Sequence, residues 1–169
     1  MFEKITEKKG LKAYVEVYKR IRDSSGKWSD WQLDEITPNL IVNLGYQTLV
    51  NRLFGFGSLS STFFDTFGVS NGASVPATTN TSTTWDADGT QYRKAIQTYS
   101  YESATQTATL TCFLNSTENT VTSITKFALF DQTGTGGTMF NDILFTTAKS
   151  KNESVEYYFY YNLVLVQTV

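Results

Sequence analysis

The sequence contains no histidine, and this absence excludes several common kinds of catalytic and metal site. Without an imidazole, the chain cannot build Ser-His-Asp or Cys-His nucleophile arrangements, and it cannot bind zinc or iron through histidine. A lone cysteine, Cys112, also excludes thiolate zinc sites and an intrachain disulfide. We therefore expect a protein that is not an enzyme and that needs neither a cofactor nor a metal ion.

Excess positive charge and long apolar runs are lacking as well. The net charge is −2, so a basic surface for nucleic acid or for an anionic membrane is not expected. No run approaches the roughly 20 apolar residues that a membrane-spanning helix needs. The first ten residues are charged and show no apolar core of a secretory signal. These features predict folding in the cytoplasm and partners that are neither nucleic acid nor membrane.

The chain is rich in threonine, serine, tyrosine, phenylalanine, valine and leucine, while proline occurs only twice. Residues that are β-branched or aromatic fit the pleated, half-buried surface of a sheet. A length of 169 residues suits one domain, residues 1–169. We predict an antiparallel β-sandwich or jelly-roll-like domain of about eight strands with one short helix.

Four segments define the predicted organisation: a flexible lead at residues 1–10, a hairpin at 11–36, a helix at 43–54 and a long loop at 71–89. The helix is expected because its apolar residues recur at helical spacing. The loop is polar, and loops of this length in a compact domain are usually functional or meet a partner.

The later part of the chain is predicted as a series of antiparallel strands. Residues 91–102 are expected to form one strand that pairs with residues 105–114. In the second of these segments Ala108, Leu110, Cys112 and Leu114 alternate with threonines, so they are expected to point inward.

The last seventeen residues, Glu153–Val169, are the most distinctive stretch. One face of this predicted strand is wholly apolar or aromatic, comprising Val155, Tyr157, Phe159, Tyr161, Leu163 and Leu165. The other face begins amphipathic and becomes apolar, so the strand should lie in the centre of a sheet. Its second face is expected either beneath the predicted helix or against a neighbouring subunit.

Several side chains are candidates for contacts with other molecules. We predict that Tyr158 and Tyr160 lie at a subunit interface, together with loop residues Asn71, Val75, Thr79 and Trp85. Trp28 and Trp31 are candidates for stacking on a sugar or a protein partner, and their alternative role is core packing.

Asp86 and Asp88 precede a glycine, and such a pair can bind calcium in a turn. The spacing is shorter than that of the twelve-residue calcium loop, and the distal glutamate is missing. A solvated turn rich in aspartate is therefore the preferred interpretation, and no metal ligand is predicted.

Four patterns resemble small structural proteins of tailed-bacteriophage virions. They are Asn39–Gly45 opening a short helix, Phe67–Gly72 leading into a Thr/Asn-rich loop, Ile124–Asp131, and Gly136–Phe145, followed by the aromatic terminal strand. The resemblance covers about residues 39–169. It implies a β-sandwich that assembles in many copies on a capsid or tail, and it implies no catalytic residues.

The resulting expectation is a virion structural protein, with a capsid decoration or cement role, assembled in the host cytoplasm. Its expected partners are major capsid or tail proteins and further copies of itself. The alternative is a tail, neck or tail-fibre component that binds a receptor or a carbohydrate.

Overall fold

The structure is a computed structural model that describes residues 10–43, 64–118 and 121–166, together with positions 45, 47 and 49. The described residues form ten strands. The first five are β1 (Gly10–Ile21), β2 (Gln32–Pro38), β3 (Leu40–Ile41), β4 (Thr66–Ser70) and β5 (Gln91–Ala95). The other five are β6 (Thr98–Glu102), β7 (Thr107–Leu114), β8 (Ser123–Phe130), β9 (Asn141–Ser150) and β10 (Val155–Val166). A short helix, α1 (Ser82–Asp86), lies between β4 and β5.

The strands form two antiparallel sheets of five. The first sheet has the order β2-β1-β10-β7-β6, and the second has the order β3-β9-β8-β4-β5. The predicted mainly β, antiparallel sandwich is therefore confirmed, with ten described strands where about eight were expected.

Strand β10 lies in the middle of the first sheet, as its two-sided apolar pattern predicts. It pairs antiparallel with β1 along its whole length and with β7 over Tyr157–Val164. Its inward side chains Tyr157, Phe159 and Tyr161 are fully buried. The Phe159 ring meets Phe127 of the second sheet at a centroid distance of 5.4 Å, so β10 provides the centre of the core between the sheets.

The chain crosses from one sheet to the other where a single strand was predicted over residues 91–102. The crossing occurs at Ile96, which is buried, and at Gln97. The Ile96 N–H donates to the Asp65 carbonyl at 2.7 Å in the second sheet, and the Gln97 N–H donates to the Thr111 carbonyl at 2.9 Å in the first. The prediction of one strand is wrong because each half bonds to a different sheet.

Strands β1 and β2 pair antiparallel where the sequence predicts a hairpin. Of the predicted helix 43–54, positions 43, 45, 47 and 49 are described and helical, and the rest lies outside the described residues. Residues 1–9 of the predicted lead 1–10 also lie outside them, and Gly10 begins β1. None of the helices described is long and apolar enough to cross a membrane.

A largely buried ion pair joins the two sheets. Lys149 of β9 donates to Glu35 of β2 and lies 2.8 Å from an Asp34 carboxylate oxygen. The Thr146 N–H also donates to Glu35, at 2.8 Å. Burial raises the pKa of Glu35, but the bonds from Lys149, Thr37 and Thr146 outweigh it and lower the pKa to about 2.

This pKa predicts a loss of stability in acid. Because the folded pKa is depressed from 4.5, the contribution of Glu35 is present above pH 4.5 and is lost as the pH falls to about 2. We expect Glu35→Gln to lower the unfolding free energy at neutral pH and to flatten its decline in this range. Urea unfolding at several pH values measures both effects. Asp30→Asn, at an exposed site, is the control, and an equal decline in wild type and Glu35→Gln would contradict the prediction.

Candidate functional site

The outer face of the first sheet carries a row of aromatic side chains. Successive side chains of β10 point to opposite faces of the sheet. Because Tyr157 and Phe159 point inward, Tyr158 and Tyr160 point outward. Tyr158 lies opposite Tyr18 of β1 and opposite Phe113 of β7. Its ring stacks on Phe113 at a centroid distance of 4.6 Å. Three neighbouring strands therefore present one continuous aromatic surface away from the core.

Trp31 lies over this surface although it belongs to the segment before β2. Its ring is 4.6 Å from Tyr158 and 6.2 Å from Phe113, centroid to centroid. The Arg20 guanidinium lies 4.6 Å from the Trp31 ring and is held by Glu156 at 2.6 Å. We call Tyr18, Trp31, Phe113, Tyr158 and Tyr160 the outer aromatic face.

A cleft of about 420 Å³ opens on the outer aromatic face. Its lining combines aromatic rings with polar groups, namely Glu16, Tyr18, Trp31, Thr109, Tyr158, Tyr160 and Asn162. The Asn162 amide accepts from the Thr109 hydroxyl at 2.7 Å, which fixes its orientation. Among the described residues, the Tyr158 and Tyr160 hydroxyls have no hydrogen-bond partner. The cleft therefore offers ring faces for stacking and polar atoms for a ligand.

Tyr18 and Tyr160 of the cleft remain neutral at physiological pH. Burial, followed by the nearby Tyr158, Tyr18 and Glu16, raises the pKa of Tyr160. Burial and the adjacent Glu16 carboxylate also raise the pKa of Tyr18, whose hydroxyl donates to that carboxylate at 3.3 Å. Each hydroxyl keeps its proton and can act as a hydrogen-bond donor.

Two exposed aliphatic side chains extend the apolar surface to the edge of the sheet. Leu33 lies opposite Tyr18, and Ile36 lies opposite Glu16, so both project from the outer side. Their exposed fractions are 51% and 55%. Contiguous apolar surface of this kind makes this side of the sheet a candidate contact site for another molecule.

The segment 71–89, predicted as a surface loop, has mostly exposed side chains, but it also contains helix α1 and packs Trp85 on the outer side of the second sheet. Thr81 caps α1, because its side chain accepts from the Thr84 N–H and the Thr84 hydroxyl accepts from the Thr81 N–H. The helix places Trp85 against Phe130, at a centroid distance of 5.6 Å. Trp85 is only 1% exposed, in a cluster with Val42, Ala128, Phe130 and Met139. The prediction that Trp85 contacts a neighbour is therefore wrong, since burial within this cluster removes it from the surface.

Asp86 and Asp88 bind cationic side chains rather than sharing a site. Asp86 forms an ion pair with Arg93. Asp88 accepts from the Ala73 and Ser74 N–H groups and lies 3.1 Å from the Lys126 ammonium. Burial raises the pKa of Asp88, but the bonds from Ser74, Lys126 and Ala73 lower it to about 2. No group of three metal-ligating side chains occurs in the part of the chain that the structure describes.

The remaining predicted contact residues are dispersed. Asn71 is exposed, and its side chain accepts from the Thr90 N–H at 2.7 Å, which makes it part of the local turn. Val75 and Thr79 are exposed, Val75 at 76%. Trp28 is half-buried and packs on Arg20 at 4.9 Å outside the cleft. Of the predicted side chains, the structure brings together only Tyr158, Tyr160 and Trp31.

Sequence reasoning missed the contributions of Phe113 and Glu16. Phe113 follows the outward threonines of β7 at the next alternate position, so the alternation already indicated that Phe113 points outward. Alternation in β1 places Glu16 on the same face as Tyr18, but only the pairing of β1 with β10 places it opposite Tyr160. Comparisons with protein-family models, curated proteins and solved structures find no match for this chain.

Burial of Trp85 predicts a structural role for this side chain. We expect Trp85→Ala to lower the unfolding free energy by about 3–5 kcal/mol, because it leaves a large cavity beneath segment 71–89. The exposed neighbour in the same segment, Val75→Ala, should change it by less than about 0.5 kcal/mol. Denaturant unfolding of both variants measures the difference, and equal effects would contradict the assignment.

Proposed function

We propose that this chain is a structural protein of a bacteriophage virion, with a capsid decoration or cement role, present in multiple copies on the particle. The proposal combines the sequence resemblance with one structural observation. That observation is the outer aromatic face, which continues through the exposed side chains Leu33 and Ile36.

A structural subunit binds through such surfaces rather than through a reactive group. Specific protein interfaces combine an apolar, aromatic centre with a polar rim. The outer aromatic face supplies the centre, and Arg20, Glu16 and Asn162 border it. We propose that a capsid or tail protein packs on this surface, with Tyr158 and Tyr160 near its middle. The particle is the proposed location after synthesis in the host cytoplasm.

This role can be tested on purified particles with a variant that alters only exposed side chains. We expect Leu33→Lys combined with Ile36→Lys to reduce occupancy on the particle by at least about tenfold, because it places charge in an apolar contact. Quantitative mass spectrometry of particles measures copy number, and Thr133→Lys, at an exposed position away from this face, is the control. Absence of the wild-type protein from particles would overturn the proposal.

A second candidate function is receptor or carbohydrate binding by a tail, neck or fibre component. The observation that favours it is the cleft, where Trp31 and Tyr160 can stack on a sugar ring beside Glu16 and Asn162. In this alternative the outer aromatic face binds a glycan rather than a virion protein.

The second candidate makes a distinct prediction. Isolated protein should bind host envelope polysaccharide, and Trp31→Ala should weaken this binding by at least about tenfold while circular dichroism shows an intact fold. Trp28→Ala, outside the cleft, is the matched control. Lack of binding to the polysaccharide, or binding that survives Trp31→Ala, would rule out the cleft as its site.

A further inference from the structure

The two sheets end in four edge strands, and three of them carry features that prevent pairing with another chain. An unprotected edge is a template for a further strand, and natural proteins block it with shortness, charge, proline or a bulge. Strand β3 has only two residues. Strand β5 carries adjacent Arg93 and Lys94. Strand β2 has a register shift against β1, the acidic pair Asp34 and Glu35, and Pro38 at its end.

The fourth edge, β6, is the least protected of the four, because its single charged residue, Glu102, lies at its end and its interior is uncharged. Its five residues read Thr-Tyr-Ser-Tyr-Glu, with no proline, lysine or arginine, and all five are exposed. Its pairing with β7 runs without a register shift from Thr98 to Glu102. One side of this strand is thus bonded to the sheet, and the other side presents a straight, free row of backbone groups among the described residues.

The tyrosines of β6 are large and accessible. Tyr99 lies opposite Leu110 and Tyr101 lies opposite Ala108, so both continue the inward side of the first sheet beyond its edge. They are 58% and 62% exposed, although Leu110 next to them packs against the core. A strand added to β6 would cover these rings and prolong the core surface.

The sequence of β6 is nearly symmetric about Ser100, and this favours a second copy of the same strand as the occupant. An antiparallel pair centred on Ser100 places Tyr99 opposite Tyr101 of the other copy, and Thr98 opposite Glu102. Aromatic pairs directly across strands are favourable, and this alignment keeps the two Glu102 carboxylates at opposite ends. A two-fold axis makes both halves of such an interface identical.

We propose that β6 pairs antiparallel with β6 of a second copy about a two-fold axis at Ser100, which joins two five-stranded sheets into one of ten strands. The contact uses the edge of the sheet and leaves the outer aromatic face open for another partner. The dimer is therefore independent of the virion role proposed above.

Light scattering coupled to size-exclusion chromatography tests the dimer with the full chain over a range of concentrations. We expect wild type to dimerise and Tyr101→Lys to weaken dimerisation by at least about tenfold, because a lysine on an edge strand opposes pairing. The matched control is Leu33→Lys with Ile36→Lys, at the opposite edge of the same sheet, which should retain the dimer. A monomeric wild type, or a dimer lost only in the control, would overturn the proposal.

The register is tested by cysteine substitution, since the native Cys112 is fully buried and does not compete. Residues directly opposite in an antiparallel pair have Cα atoms about 4.5–5.5 Å apart, within disulfide range. Ser100→Cys should therefore form an intermolecular disulfide under mild oxidation. Thr98→Cys should not, because two copies of that position lie about 13 Å apart at roughly 3.3 Å per residue. Preferential cross-linking of Thr98→Cys would overturn the two-fold axis at Ser100.

The outcomes separate this dimer from the virion role. A monomer that is nevertheless found on particles overturns only the dimer. A dimer that is absent from particles supports β6 pairing and overturns the virion role.

Discussion

The fold depends on the position of β10, because this strand is hydrogen-bonded to a neighbour on each side and carries aromatic side chains on both of its faces. Between β1 and β7 it satisfies its backbone groups with neighbours in the same sheet. Its inward rings, with Phe159 at the centre, meet phenylalanines of the second sheet and fill the space between the layers. Its outward rings cannot enter that core. The strand that holds the sandwich together therefore also creates the outer aromatic face.

The two sheets differ in how far other segments of the chain cover their outer apolar surfaces. On the second sheet, segment 71–89 folds back and buries Trp85 against Phe130, while Lys126 binds Asp88 of that segment and Asp142 of β9. On the first sheet, Trp31 packs on Tyr158, but Leu33 and Ile36 remain exposed. The second sheet thus covers its outer apolar surface with segment 71–89, whereas part of the outer apolar surface of the first sheet stays exposed. This asymmetry is the physical basis for proposing an external partner on the first sheet.

Buried charges also connect parts of the chain that are distant in sequence. Lys149 joins β9 to β2 through Glu35, and Lys126 joins β8 to segment 71–89 through Asp88. Such pairs pay a desolvation cost, so their net stabilisation is small, but removing one partner leaves an uncompensated charge. They therefore favour one arrangement of strand and loop over alternatives. Among the described residues, no ion pair of this kind involves the exposed edge β6.

Local alternation by itself determined the β-sandwich class, the central position of the terminal strand, and the inward side of β7 and β10. It succeeded because side chains at successive strand positions point to opposite faces, which is a property of neighbouring residues. Tertiary structure alone decided that residues 91–102 divide between two sheets at Ile96, that Trp85 is buried, and that Trp31 joins Tyr158 and Phe113. Each of these depends on hydrogen bonds or ring contacts between residues far apart in the chain. A sequence pattern shows that a face is apolar, but only the folded chain shows which segment covers it.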